Sequence, residues 1–187
     1  EGEMVFSELL EHWDNGNPAF LSEIRGLTFR EGEEIVSTPQ QDALDLALLP
    51  FPYDEDFGDV QNQIIYYETS RGCPYHCGYC LSSEESGVRI VPLDKLLPDL
   101  QKFLDAKERQ VKIIDRTFNC KKGHAMAIWQ YLHEHDNGVT NFHFEITADL
   151  IDDQTINFLK LVRKGLFQFE IGVQSTNPQT IRAIERN

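Results

Sequence analysis

Apolar residues at Val5, Phe6, Leu9, Leu10 and Trp13 recur at helical spacing, so the chain is predicted to open on a helix. In "LTFREGEEIVS" two short runs flank Glu31 and Gly32, the pattern of two short strands around a turn. "LLPFPYDEDFGD" carries two prolines and an acidic cluster and reads as an irregular connector. From Ile64 onward the pattern repeats. "QIIYYETS" is a predicted strand. A helix follows within residues 93–109, with Leu96, Leu97, Leu100, Phe103 and Leu104 on one face and Pro98 starting or kinking it. "VKIID", "NFHFEIT" and "LFQFEIGVQS" are further strands. They alternate with helices in "HAMAIWQYLHEH", closed by Gly138, and "DQTINFLKLVRK", closed by Gly165. A last helix starts at Pro178 behind Asn177 as its N-cap.

Strict alternation of strand and helix predicts parallel strands with helical crossovers, in an open doubly wound sheet or a barrel. Phe142, Phe144 and Ile146 share one strand face, and His143 and Glu145 the other. Phe167, Phe169, Ile171 and Val173 oppose Gln168, Glu170, Gly172 and Gln174 in the same way. A parallel sheet covered on both sides reads apolar throughout. One apolar and one polar face suits a barrel with a wet interior, or a sheet with one face open to solvent. The barrel is the preferred reading.

Composition divides the chain. It has 187 residues and a net charge of −14, which argues against nucleic acid as a partner. Residues 1–60 hold 15 acidic and 2 basic residues, leaving 16 of the 31 acidic and 15 of the 17 basic ones to the remainder. Residues 1–60 are therefore read as an acidic linker segment, small and irregular α+β, and 61–187 as the repeating α/β domain. No apolar run approaches a membrane span and no signal peptide opens the chain, so no membrane and a cytoplasmic location are expected. Glu1 stands where an initiator Met would, and the helix behind Asn177 has barely begun when the sequence stops. The chain reads as a piece of a longer protein.

Three of the four cysteines fall in "TSRGCPYHCGYC", as Cys73, Cys77 and Cys80 in the spacing C-x3-C-x2-C. A disulfide plus a spare thiol is disfavoured in a cytoplasmic protein. Structural zinc wants four ligands, and His76 and Cys120 are the candidates for a fourth. A redox pair of Cys77 and Cys80 leaves Cys73 unexplained. An iron–sulfur cluster normally takes four thiolates, and three leave one iron open, as a catalytic metal requires. Cys120 has no partner spacing and reads as structural. His133 and His135 diverge on a helix and make a poor metal pair. No nucleophile elbow, phosphate loop or H-E-x-x-H motif occurs.

The cysteine spacing after a first strand, with Tyr79 just before the last Cys, resembles the radical S-adenosylmethionine (radical SAM) superfamily. The resemblance runs from about Ile64 to Asn187. It implies a partial (β/α) barrel of about four parallel strands, in which each of the three cysteines holds one iron of a [4Fe–4S] cluster and SAM chelates the fourth. It also implies cofactor contacts. Asp115, Thr117 and Phe118 stand where the family carries a Gly-Gly-Glu-like stretch, from which this chain departs. Glu145 resembles the third-strand Glu of coproporphyrinogen-type members, and Gln174, with Ser175 beside it, the fourth-strand Gln. Gly172, on the same face, is expected to leave room for a bulky ligand. The first sixty residues resemble the segment joining a cobalamin domain to such a barrel, as in the anaerobic magnesium-protoporphyrin monomethyl ester cyclase type. They contain no D-x-H-x-x-G motif, so cobalamin is expected only in a full-length protein.

The expected function is reductive cleavage of SAM to a 5′-deoxyadenosyl radical, for hydrogen abstraction or cobalamin-linked methyl transfer on an unassigned substrate. A flavodoxin or ferredoxin would donate the electron. The last strand is expected to present an open edge to partners. The rival reading is a non-enzymatic interaction module stabilised by zinc or a cluster.

Overall fold

The computed structural model describes residues 1–14, 18–53, 57–60, 63–83 and 87–186. Asp54, Glu55 and Asp56 of the predicted acidic connector lie outside the described residues. Packing divides the chain between Leu48 and Leu49, rather than at the 60/61 boundary read from charge.

In the first unit, helix α1 (Gly2–Asp14) follows the predicted apolar spacing. Strands β1 (Thr28–Glu31) and β2 (Glu34–Ser37) pair antiparallel around Gly32, whose φ of +60° suits the turn. Val5, Ile24 and Leu46 are buried there.

The second unit is built on four parallel strands: β3 (Ile65–Tyr67), β6 (Gln110–Ile113), β7 (Asn141–Ile146) and β8 (Phe167–Ile171). Their order across the sheet is β3-β6-β7-β8, the order of the sequence. A doubly wound sheet reverses its strand order at a switch point. This one does not, so the architecture is α/β and that of a partial barrel. Between β3 and β6 come a two-stranded antiparallel ribbon, β4 (Ser70–Cys73) with β5 (Gly87–Ile90), and helix α2 (Leu93–Asp105). Helices α3 (Lys122–Glu134), α4 (Asp153–Leu159) and α5 (Pro178–Ala183) complete the repeats.

Alternation along β7 is complete: Phe142, Phe144 and Ile146 are buried, and Asn141, His143 and Glu145 are half-buried. The apolar face packs on α3 and on the turn before it: Phe144 lies 6.0 Å from Trp129 of α3 and 4.4 Å from Phe118 of that turn between ring centroids. Rings buried in this way are worth roughly 3–5 kcal/mol each against alanine. Phe51, Tyr53 and Phe57, expected in a connector, instead ring Phe103 of α2 at 5.3, 5.9 and 5.6 Å. Pro98 sits inside α2 on its exposed face without ending the helix. Helix α4 stops at Leu159, five residues short of the predicted end, and Gly165 (φ +90°) lies in the turn before β8. Asn177 caps α5 as expected, accepting from the backbone N–H groups of Gln179 and Thr180. No described helix is long and apolar enough to cross a membrane.

Candidate active site

The ribbon β4–β5 was not legible as strands, yet it carries the first cysteine. Cys73 is the last residue of β4 and pairs with Gly87. Before it, Gly72 adopts φ +98°, and a Cβ there would stand 2.2 Å from the Gly87 carbonyl oxygen. Only glycine allows the ribbon to close at that point. After it, the chain turns so that the Cys80 N–H donates to the Cys77 carbonyl at 2.9 Å, and the Gly78 N–H donates to the Ile184 carbonyl at 3.0 Å. All four cysteines are free thiols; Cys77 is buried, and Cys73 and Cys80 are half-buried.

The root of the ribbon is tied down by Asp115. Its carboxylate is 1% exposed. It accepts the Thr69 N–H (2.7 Å), the Thr69 hydroxyl (2.6 Å), the Ser70 N–H (3.0 Å) and the Ser70 hydroxyl (2.6 Å). Burial pushes its carboxyl above the usual range, against these four donors, which favour the ionised form. Asp115 is therefore an anchor whose carboxylate oxygens are occupied, which corrects only an expected contact of its side chain with the cofactor. Phe118 is corrected likewise. It is buried at 2% exposure between Trp129 and Phe144, and its ring faces the core.

Thr117, between these two, does reach the site. It is buried, its hydroxyl donates to the Arg116 carbonyl at 2.8 Å, and Oγ1 lies 3.5 Å from Cys73 Sγ.

A cleft of about 270 Å³ gathers Cys73, Cys77, Cys80, Tyr79, Thr117, Glu145 and Gln174 at the C-terminal ends of the strands. Catalytic groups collect at that end in β/α barrels. Tyr79 accepts from Arg186 Nη1 at 3.3 Å. Gln174 adopts φ +63°, and a Cβ on Gly172 would lie 2.5 Å from Gln174 Nε2. The space expected beside Gly172 for a ligand is thus filled by the Gln174 amide. Ser175 does not join this group: it lines a neighbouring cleft of about 400 Å³, and its hydroxyl accepts the Asn177 N–H at 3.1 Å. Cys120 is half-buried and does not line the cysteine cleft; burial pushes its thiol up.

Several site residues escaped the sequence reading. Tyr75, Arg116, Thr147 and Arg186 line the cleft without a motif to mark them. Lys112 had a signal, since it alternates with Val111 and Ile113 in "VKIID" and so belongs to the polar face. Its Nζ lies 3.0 Å from Glu145 Oε1 and 3.2 Å from Glu170 Oε2. His143 Nε2 is 3.3 Å from Glu170 Oε2, an ion pair only when the ring is protonated.

The donor set fits an iron–sulfur cube: three free thiols line one cleft from one side, with polar groups of β7 and the end of β8 on the other. Among the described residues, no three His, Cys, Asp or Glu side chains converge as ligands of a single ion would. A cube asks instead for thiolates on separate irons.

Comparison with known proteins agrees with this geometry. The chain is 27% identical over 144 residues to an uncharacterised methyltransferase of Pyrococcus horikoshii, covering 68% of this chain and 29% of that protein. It is 28% identical over 130 residues to the 2-(S-pantetheinyl)-carbapenam-3-carboxylate methyltransferase of Streptantibioticus cattleyicolor, covering 63% and 19%. Against the anaerobic magnesium-protoporphyrin IX monomethyl ester cyclase of Synechocystis it is 27% identical, over 100% of this chain and 38% of the cyclase. The chain thus spans less than two fifths of these relatives' lengths. Among solved structures, the radical SAM methyltransferase TsrM of Kitasatospora setae, with tryptophan and a SAM analogue, shares the fold. The TM-score is 0.72 at 16% identity, over 96% of this chain and 37% of that one. Residues 67–187 match the Radical SAM superfamily. That span holds the cysteine loop and all the strand ends around the cleft, and by it the chain belongs to the radical SAM superfamily.

Proposed function

We propose that Cys73, Cys77 and Cys80 hold three irons of a [4Fe–4S] cluster and that SAM occupies the adjoining cleft. The superfamily's cofactors are this cluster and SAM. When bound, they supply one-electron reductive cleavage of SAM, the source of a 5′-deoxyadenosyl radical. The remaining work belongs to the chain. The ribbon presents Cys73, and the turn at Cys77–Cys80 presents the other two thiols. Glu145 offers a carboxylate oxygen, and Gln174 an amide, from the opposite wall. The residues lining the cleft would bind and orient SAM beside the cluster.

One observation carries the reading: the three thiols, Glu145 and Gln174, spread over about a hundred residues, line a single cleft. The relatives named as methyltransferases favour methyl transfer in the whole protein, and a TsrM structure of the same fold carries cobalamin. A cyclase transfers no methyl group, so the relative that matches the full chain keeps hydrogen abstraction as the second reading. Either outcome consumes SAM, by its C5′–S bond for hydrogen abstraction and by its methyl–S bond for methyl transfer.

The test is anoxic reconstitution, with about four iron and four sulfide bound per chain. Alanine at Cys73, Cys77 or Cys80 should abolish cluster binding, and Cys120→Ala should retain it. Loss of the cluster in Cys120→Ala, with the other three thiols intact, would sink the three-ligand assignment.

A further inference from the structure

Arg116 has no part in the function proposed above. It follows β6 on the polar register: Val111, Ile113 and Asp115 are buried, and Lys112, Ile114 and Arg116 alternate with them. It lines the cysteine cleft and also a second cleft, of about 370 Å³, between the ends of β3 and β6 and the β4–β5 ribbon. Ser82, just past Cys80, lines both clefts as well. The two spaces therefore share a wall at Arg116 and Ser82, next to the cysteines.

Charge singles out Arg116. In the second cleft Glu68 and Arg71 satisfy each other: Arg71 Nε lies 3.0 Å from Glu68 Oε1, and Nη2 2.7 Å from Oε2. In the cysteine cleft Glu145 and Glu170 share Lys112, and Arg186 donates to the Tyr79 hydroxyl and the Gly172 carbonyl. Of the acidic and basic side chains on the two walls, the Arg116 guanidinium alone has no hydrogen bond or ion pair among the described residues. A guanidinium is always charged, and its planar fork matches a carboxylate.

Shape gives the side from which an anion arrives. Leu81 is 90% exposed and Ile114 is 44% exposed, and both line the second cleft but not the cysteine cleft. Apolar surface left uncovered beside a convergent polar group is what a small-molecule site presents, usually in roughly 300–1,000 Å³. A carboxylate at Arg116 comes either from SAM, through the cysteine cleft, or from a second ligand. Leu81 and Ile114 favour the second ligand, because SAM in the cysteine cleft leaves them bare.

We infer that the second cleft is the compartment of the substrate, that this substrate carries one carboxylate beside an apolar body, and that Arg116 binds the carboxylate while Leu81 and Ile114 cover the body. One free guanidinium matches one negative charge. The inference rests on the proposed SAM site and gives its substrate a class and a place. The wall shared at Ser82 sets that substrate beside the cysteine loop.

The experiment uses the full-length reconstituted protein and two probes, 3-(4-fluorophenyl)propionate and 3-(4-fluorophenyl)propionamide, which share the apolar body and differ in charge. Their binding is read by fluorine NMR titration with SAM present, and SAM affinity by equilibrium dialysis. The wild type should bind the acid about tenfold more tightly than the amide, the effect of one charge-assisted contact. Arg116→Gln should erase that preference by weakening the acid alone, with amide affinity, SAM affinity and iron content unchanged. Arg116→Lys, which keeps the charge without the fork, should retain part of the preference. Leu81→Ser should weaken acid and amide alike, by about fivefold, with the preference intact.

Equal affinity for acid and amide in the wild type overturns the inference, as does binding of neither. So does an acid preference that survives Arg116→Gln. If Arg116→Gln weakens SAM and not the acid, the guanidinium serves the carboxylate of SAM itself, and the inference falls. If Arg116→Gln does not fold, the wild-type preference and Leu81→Ser decide: equal weakening of both probes supports the compartment, and unchanged affinities overturn it. Absence of SAM binding by the wild type would overturn the proposed function and this inference with it. SAM binding without an acid preference overturns the inference alone.

Discussion

Thr117 Oγ1 stands 3.5 Å from Cys73 Sγ, across 44 positions of sequence. The hydroxyl belongs to the segment after β6 and the sulfur to the end of β4. Its proton has the Arg116 carbonyl as acceptor at 2.8 Å. An iron-bound thiolate would be a second and more negative acceptor for it. Hydrogen bonds to cluster sulfurs stabilise the reduced, more negative state. Thr117→Val keeps the shape and removes the donor, so the cluster's midpoint potential should fall by about 20–60 mV, one net hydrogen bond expressed for one electron. Thr117→Ser should recover it. An unchanged potential in EPR-monitored redox titration of Thr117→Val would show that the hydroxyl does not act on the sulfur.

Gly72 sits one residue before Cys73, and an alanine Cβ there meets the Gly87 carbonyl oxygen at 2.2 Å. Backbone on both sides leaves nothing flexible to yield. Gly72→Ala should open the β4–β5 ribbon, cost about 2 kcal/mol or more, and lower the iron bound per chain. Chemical denaturation and iron assay check both effects. Wild-type stability with full iron content would mean the ribbon closes differently.

Removing the Asp115 carboxylate leaves two backbone N–H groups and two hydroxyls without their acceptor in a buried site. Asp115→Ala should cost about 3 kcal/mol or more. The amides of Thr69 and Ser70 should lose protection in hydrogen exchange before those of β7. A penalty below about 0.5 kcal/mol, the range of ordinary surface changes, would contradict the anchoring role.

Asp136, after α3, accepts from Arg163 Nε at 2.6 Å and Nη2 at 2.9 Å, beside the turn into β8. The Arg163 guanidinium holds its carboxyl below the usual range. A depressed carboxyl contributes stability above its unfolded pKa of about 4 and loses it as pH falls through the lower folded value. Discounted for partial exposure, Asp136→Asn should cost about 1 kcal/mol at pH 7. The gap between wild type and variant should narrow steadily below about pH 4. Urea denaturation at several pH values measures it. A gap that stays constant down to pH 2 would assign the effect to something other than this ion pair.

The repeat of strands and helices from Ile64 onward, the polar face of β7 and β8, and the clustering of Cys73, Cys77 and Cys80 were all legible in the sequence. Each is a local or periodic property: an alternation of two, a helical spacing, a run of twelve residues in "TSRGCPYHCGYC". Periodicity placed Glu145 and Gln174 on the polar register, and both line the cysteine cleft. The ribbon β4–β5 was not legible, because "SRGC" and "GVRI" are short, half-exposed and held by pairing with each other rather than by a buried face. Asp115 and Phe118 flank Thr117 in one short segment, yet one anchors the ribbon, one enters the core and only Thr117 reaches the cleft. Which way each side chain turns depended on donors and rings contributed by distant segments. Phe51, Tyr53 and Phe57 read as connector because prolines and acids surround them, but Phe103 and Tyr67 supply the apolar surface they cover. Lys112 reaches Glu170 across 58 positions, a pairing set by strand order and register. Sequence periodicity specifies the face a residue occupies, but the residue opposite it is decided only when separate segments are brought together, since burial and charge pairing are properties of the assembled neighbourhood.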